Sequence, residues 1–91
     1  MSPDALAAAL ADRPGWEARR DGAAIGRRFG FRDFSEAWGF MSRVALAAEA
    51  VDHHPDWSNS YRTVDVTLTT HSAGGVTERD LALAARIDAL L

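Results

Sequence analysis

Apolar residues recur along this chain with two periods, and each change of period marks an element boundary. After Ser2, an N-cap type, and Pro3, which suits a first helical turn, Leu6 and Leu10 stand four apart and give one thin helical stripe ending near Asp12. Arg13-Pro14-Gly15 breaks it. Trp16 to Arg20 and Ala23 to Phe31 then read as the strands of a hairpin, joined at Asp21-Gly22, a pair suited to the positive φ angles of a tight two-residue turn. Within the second strand, Ile25, Arg27, Phe29 and Phe31 share one face.

Asp33 with Glu36 forms a capping-box pattern that opens a helix from about Phe34 to Val51. On a helical wheel Phe34, Ala37, Trp38, Phe40, Met41, Val44, Ala45, Ala48 and Val51 fill an arc of roughly 160°, wider than the ~100° that one-sided packing needs. The excess predicts that this helix meets both its own sheet and a second subunit. Glu49 falls at the edge of the arc, where a carboxylate can face a cleft. Pro55 stops the helix and biases His54 toward an extended backbone, so His53 and His54 belong to the exit loop. Trp57 to Tyr61 reads as a short strand and Arg62-Thr63 as a turn. Val64, Val66 and Leu68 form the apolar face of a fourth strand, with Asp65, Thr67, Thr69 and His71 in the opposite parity, away from the core. Gly74-Gly75 turns the chain, and Thr77-x-x-Asp80 caps a last helix carrying Leu81, Ala84, Ala85 and Ile87. The predicted order, α-β-β-α-β-β-α, is that of an α+β fold whose four-stranded antiparallel sheet carries its helices on one face.

A chain of 91 residues supports one domain over 1–91, with a core too small to leave much stability in hand. There is no cysteine, so further burial is expected from self-association, and thiolate catalysis and zinc-finger frameworks are excluded. The net charge is -3, and all 10 basic residues are arginine against 13 acids. That balance lacks the basic footprint of a direct nucleic-acid binder. No run approaches the ~20 apolar residues that span a bilayer. Met1 to Ala11 also lacks the basic flank and apolar centre of a signal peptide, so the protein is expected to be cytoplasmic and free of membranes.

The candidate chemistry is concentrated. All three histidines fall between positions 53 and 71, and the local string is Glu49-x-x-x-His53-His54-Pro55-x-Trp57. Histidine, with an unperturbed pKa of about 6.5, gives and takes protons near neutrality, and acid/base sites orient it with a partner such as a carboxylate. Taken alone, the residues leave three readings open: a solvated loop, a metal site of imidazoles with Glu49, or an acid/base site. Adjacent histidines aim poorly at one ion, and neither His-x-His nor His-x-x-x-His occurs, which weakens the metal reading. Trp16, Trp57 and Tyr61 suit a core or interface as well as they suit ligand stacking.

The larger pattern is more specific. Glu49-x-x-x-His53-His54-Pro55-Asp56-Trp57, Asn59-x-Tyr61-x-x-Val64, Leu68-x-Thr70-His71, Gly75-x-Thr77-x-x-Asp80 and Leu83-Ala84 together resemble the pterin-4a-carbinolamine dehydratase signature. Upstream, Gly15-Trp16, Ile25, Phe29-x-Phe31-x-Asp33-Phe34, Ala37, Phe40-Met41 and Arg43-Val44-Ala45 extend the likeness over nearly everything beyond the first helix. Asp56 stands where that family usually has glutamate, and Ser60 where valine is common.

The resemblance implies elimination of water from a 4a-hydroxytetrahydropterin to the quinonoid dihydropterin, within tetrahydrobiopterin recycling. Such an elimination delivers one proton to the leaving hydroxyl and removes another from ring N5. By the same analogy His53 and His71 are the acid/base pair, His54 positions substrate or shares the proton work, and Glu49 orients an imidazole. Trp16 would stack on the pterin, and Asp52, Thr69, Thr70 and Ser72 would offer polar contacts. The reaction implies no metal and no organic cofactor, since the pterin is the substrate. A homodimer or homotetramer is implied as well. A different class of function on the same fold is a non-catalytic protein-binding module that stabilises a transcription-factor dimer or helps an assembly. A pure scaffold has no physical reason to keep Glu49, His53, His54 and His71 together.

Overall fold

The computed structural model of the protein describes residues 1–91. Its elements run α1 (Pro3–Ala11), β1 (Glu17–Arg19), β2 (Ala24–Gly30), α2 (Phe34–Ala50), β3 (Asp56–Ser60), β4 (Thr63–Leu68) and α3 (Glu78–Asp88), with short 3-10 turns at Arg20–Gly22 and His71–Ala73. The four strands form one antiparallel sheet in the order β1-β2-β4-β3. This is the α+β order expected from the alternation of periods. Each helix begins where a side chain satisfies an otherwise orphaned N–H: Ser2 Oγ accepts from Ala5 N at 3.1 Å, and Asp33 Oδ1 accepts from Glu36 N at 2.8 Å.

The inner face of the sheet presents Ile25 and Phe29 of β2 beside Leu68 and Val64 of β4, their register partners. Against them lie Phe40 and Val44 of α2 and Leu83, Ala84 and Ile87 of α3, all in one buried cluster. Arg27 sits on this face between Ile25 and Phe29. Its guanidinium lies 4.7 Å over the Phe29 ring and donates to Asp88 Oδ1 at 3.0 Å. Asp88 also accepts from Arg13 at 3.2 Å and from the Trp16 indole at 3.0 Å, so the end of α3 ties down the loop after α1. Gly15 makes room for this, because a Cβ there would stand 2.8 Å from Arg27 Nε. On the outer face Arg19 crosses β2 to reach Asp65 at 2.8 Å and Thr67 at 2.9 Å, passing directly over Gly26.

The details depart from expectation at four places. The β1–β2 connection is a longer loop, with Arg19 opposite Ala24, and the positive φ expected at Asp21 and Gly22 extends back to Arg20. The β3–β4 turn centres on Tyr61-Arg62 rather than Arg62-Thr63, with Tyr61 at φ 52. Glu36 does not complete a reciprocal capping box, because its carboxylate reaches back to Arg32 N at 3.0 Å instead. In α2 only Ala37, Phe40, Val44, Ala47 and Ala48 are buried. Phe34, Trp38 and Val51, from the rest of the predicted arc, are 47%, 56% and 50% exposed.

Candidate active site

His53 owes its position to how α2 ends. Asp52 N donates to Glu49 O at 3.2 Å and His53 N to Ala48 O at 3.1 Å, the pair of bonds that defines a Schellman termination. Asp52 occupies the left-handed position at φ 51, where glycine is usual. That reversal turns the chain back so that the His53 side chain is buried, 7% exposed, while Pro55 starts the run into β3. Arg79 of α3 pins the reversal by donating from Nη2 to Asp52 O at 2.7 Å.

The imidazole is held from the same turn of α3. His53 Nε2 lies 2.5 Å from Asp80 Oδ1. Asp80 is fully buried, and its other oxygen accepts from Thr70 Oγ1 at 2.8 Å and from Thr77 N at 2.9 Å. A carboxylate removed from water costs several kcal/mol unless its lone pairs are filled, and here three donors fill them. The same aspartate thus closes the N-terminal capping box of α3 and holds an imidazole. With Nε2–H donated to a carboxylate, the neutral ring keeps Nδ1 as its acceptor.

The other two histidines stand in open positions. His54 Nε2 is 2.7 Å from Glu49 Oε1, an exposed pair. His71 begins a 3-10 turn closed by reciprocal backbone bonds between Thr70 and Gly75, with Gly74 left-handed at φ 70. It is therefore not a strand residue. Its Nε2 has one carboxylate within 4 Å, Asp56 Oδ2 at 3.9 Å, and Asp56 also accepts from Arg20 at 3.1 Å.

His53, His54 and His71 meet in a polar cleft of ≈ 320 Å³. Asp52, Thr69, Thr70 and Ser72, the predicted polar contacts, line it too, and Pro55, Asp56 and Arg79 complete the wall. Two of the threonine hydroxyls are already engaged: Thr69 donates to Ala23 O at 2.7 Å, and Thr70 serves Asp80. Glu49 stands outside the lining and touches the site through its contact with His54. Trp16 is not brought to the cleft. It packs edge-on against Phe29 with centroids 6.1 Å apart, and its N–H is spent on Asp88. Asp80 is the residue that reading the sequence missed as part of the site. Thr77-x-x-Asp80 announced a helix cap, and a cap explains the aspartate so completely that no second duty is visible without the fold. No three His, Asp and Glu side chains gather at metal-ligand geometry.

Comparison with known proteins identifies the family of the chain and its fold. The family profile described as "Pterin 4 alpha carbinolamine dehydratase" matches residues 1–90. The chain belongs to that family. A relative from Mesorhizobium japonicum, provisionally named as a pterin-4-alpha-carbinolamine dehydratase, is 62% identical over 88 residues, covering 97% of this chain and 90% of its own. A crystal structure of a transcriptional coactivator/pterin dehydratase from Brucella melitensis superposes with a TM-score of 0.95 at 47% identity, covering 99% of this chain and 96% of that one. A pterin dehydratase-like protein, described as a RuBisCO assembly factor in the alpha-carboxysome, has a TM-score of 0.73 at 26% identity, covering 84% of this chain and 88% of that one.

Proposed function

We propose that the protein is a 4a-hydroxytetrahydropterin dehydratase, and that the three-histidine cleft is where water is eliminated. The observation that carries this reading is the convergence of His53, His54 and His71 on one polar cleft, with His53 locked to a buried carboxylate. In the proposed mechanism His53, its Nε2–H given to Asp80, uses Nδ1 to take the proton from ring N5. His71, which has no close partner, delivers a proton to the 4a-hydroxyl as the C–O bond breaks. The C4a–O electron pair leaves with water, and the N5 lone pair freed by deprotonation forms the new C=N bond. Each imidazole contributes about 10²- to 10⁴-fold in rate. His54, steadied by Glu49, borders the same cleft and would position the heterocycle, helped by the Asp52 carboxylate and polar groups of Thr69, Thr70 and Ser72. Trp16 has no part in this proposal, and no metal or organic cofactor enters it. The setting would be cytoplasmic pterin recycling.

The test is spectroscopic. Freshly generated 4a-hydroxytetrahydrobiopterin, followed by stopped-flow absorbance, should decay much faster with micromolar protein than in buffer; a rate equal to the buffer rate would refute the proposal.

The exposed Phe34 and Trp38 rings, stacked 6.2 Å apart on α2, favour a homodimer or homotetramer built on this helix, for which light scattering is the check. The same surface supports the second reading, a protein-binding role like those described for the two structural relatives. That role makes no use of the dyad of His53 and Asp80.

A further inference from the structure

His53 and Arg79 form a wall shared by two clefts. Beyond the polar one lies another, of ≈ 300 Å³, between the end of α2 and α3, lined by Val51, His53, Arg79, Ala82, Leu83 and Arg86. Its character is different. Half of these residues are apolar and none is acidic. Arg79, Ala82 or Leu83, and Arg86 recur at three- and four-residue steps and so share one face of α3.

The two arginines are notable for what they lack. Arg13, Arg19, Arg20, Arg27, Arg28 and Arg32 each have a carboxylate within 4 Å, whereas Arg79 and Arg86, like Arg43 and Arg62 elsewhere on the surface, have none. Arg79 spends Nη2 on the carbonyls of Asp52 and Val51, which leaves most of its five N–H donors free. Seven residues separate the two along α3, about 10.5 Å of helix rise, a gap that two arginine side chains span from opposite ends. The third lining group of note is the His53 imidazole, whose ring borders this cleft as well as the polar one in which Nδ1 is proposed to work. It is 93% buried by its 7% exposure, Asp80 occupies Nε2, and no protein atom bonds Nδ1. No buried side-chain nitrogen or oxygen is left without a partner, so Nδ1 is open to solvent.

A bare inorganic anion would satisfy the guanidinium groups and leave Val51, Ala82 and Leu83 uncovered. A neutral apolar molecule would cover those residues and leave two cations unpaired. A volume at the small end of ligand cavities, which run about 300–1,000 Å³, suits a body of about one ring. We propose that this cleft binds a small monocarboxylate with an apolar body, its carboxylate on Arg79 and Arg86 and its body on Val51, Ala82 and Leu83, against the imidazole that also faces the polar cleft. An occupant would act on turnover through His53 without competing for the pterin. Binding stands apart from the dehydratase reading; only the effect on turnover rests on it.

Benzoate is the probe and benzamide its neutral control, titrated at constant ionic strength into isotope-labelled full-length protein. Saturable shifts are expected at Val51, His53, Ala82 and Leu83, with Thr69, His71 and Ser72 unmoved. Arg86→Gln should weaken benzoate about tenfold or more, as loss of a charge-assisted bond does, and benzamide should bind wild type at least as weakly. In the dehydration assay benzoate should lower kcat at unchanged KM, and Arg86→Gln should keep basal turnover while losing the benzoate effect. Absence of saturation, shifts confined to Thr69–Ser72, benzamide binding as well as benzoate, or an unaffected Arg86→Gln variant would each overturn the site. If benzoate binds as described to a protein that does not accelerate dehydration, the site stands and the dehydratase reading falls.

Discussion

Asp80 shows how one side chain can join stability to chemistry. It caps α3 through Thr77 N, anchors Thr70, and fixes which nitrogen of His53 carries a hydrogen. Two substitutions separate these duties. Asp80→Ala leaves buried donors without an acceptor and should cost about 3 kcal/mol or more, read as a large drop in thermal midpoint. Asp80→Asn keeps the shape and one acceptor, so most stability should return. Its amide would donate toward His53 Nε2 and move the imidazole hydrogen to Nδ1, removing the acceptor that the mechanism uses. Turnover should therefore fall about 10²-fold or more in a folded protein, and a 15N shift should report the exchanged tautomer. Near wild-type turnover by Asp80→Asn would show that the tautomer is irrelevant. The histidines themselves were legible from the sequence, because imidazoles near a helix-ending proline carry their chemistry in their identity. The buried carboxylate was not, since its capping duty hid its second one.

Helix ends do most of the positioning. The left-handed Asp52 allows α2 to reverse, and the first turn of α3 receives it through Arg79 and Asp80. A left-handed L-residue carries a strain of about 1–2 kcal/mol, less for aspartate than for most. Asp52→Gly relieves that strain and should raise stability by about 0.5–1 kcal/mol in chemical denaturation. Turnover should fall in the same variant, because the carboxylate leaves the cleft wall. A stabilised variant with undiminished turnover would remove Asp52 from the proposed pterin contacts. Sequence periodicity located every helix and strand, since caps, prolines and alternation are local signals. The β1–β2 and β3–β4 turns were placed less well, because left-handed conformation at Arg20 and Tyr61 is imposed by strand register and has no glycine to announce it at those positions, whereas the positive φ expected at Asp21-Gly22 is present. His71 moved from a strand end to a 3-10 turn for a similar reason: the bridge between Thr70 and Gly75 is a pairing between residues that the local pattern does not link.

Across the whole molecule, one polar knot holds the ends of the chain together. Arg13, Trp16 and Arg27 all donate to Asp88, linking the loop after α1 to the sheet and to the last turn of α3. This explains why Trp16, an aromatic that suited ligand stacking in the sequence, is a core residue with its N–H satisfied. Asp88→Ala strands two partly buried guanidinium groups and an indole N–H, and should cost about 1–3 kcal/mol with the cleft geometry unchanged. Thermal unfolding together with unaltered His53 and His71 resonances would confirm that separation of roles. No helix is long and apolar enough to cross a membrane. The fold and the family thus follow from signals spread over the entire chain, whereas the catalytic claim rests on two imidazoles that line one cleft. The most direct test is the dehydration rate of 4a-hydroxytetrahydrobiopterin with wild type, His53→Ala, His71→Ala and the double variant. Groups that act on one substrate as a unit give non-additive losses. Each single variant should lose about 10²-fold or more, and the double variant little beyond the worse single. Wild-type rates from either folded single variant would contradict the account.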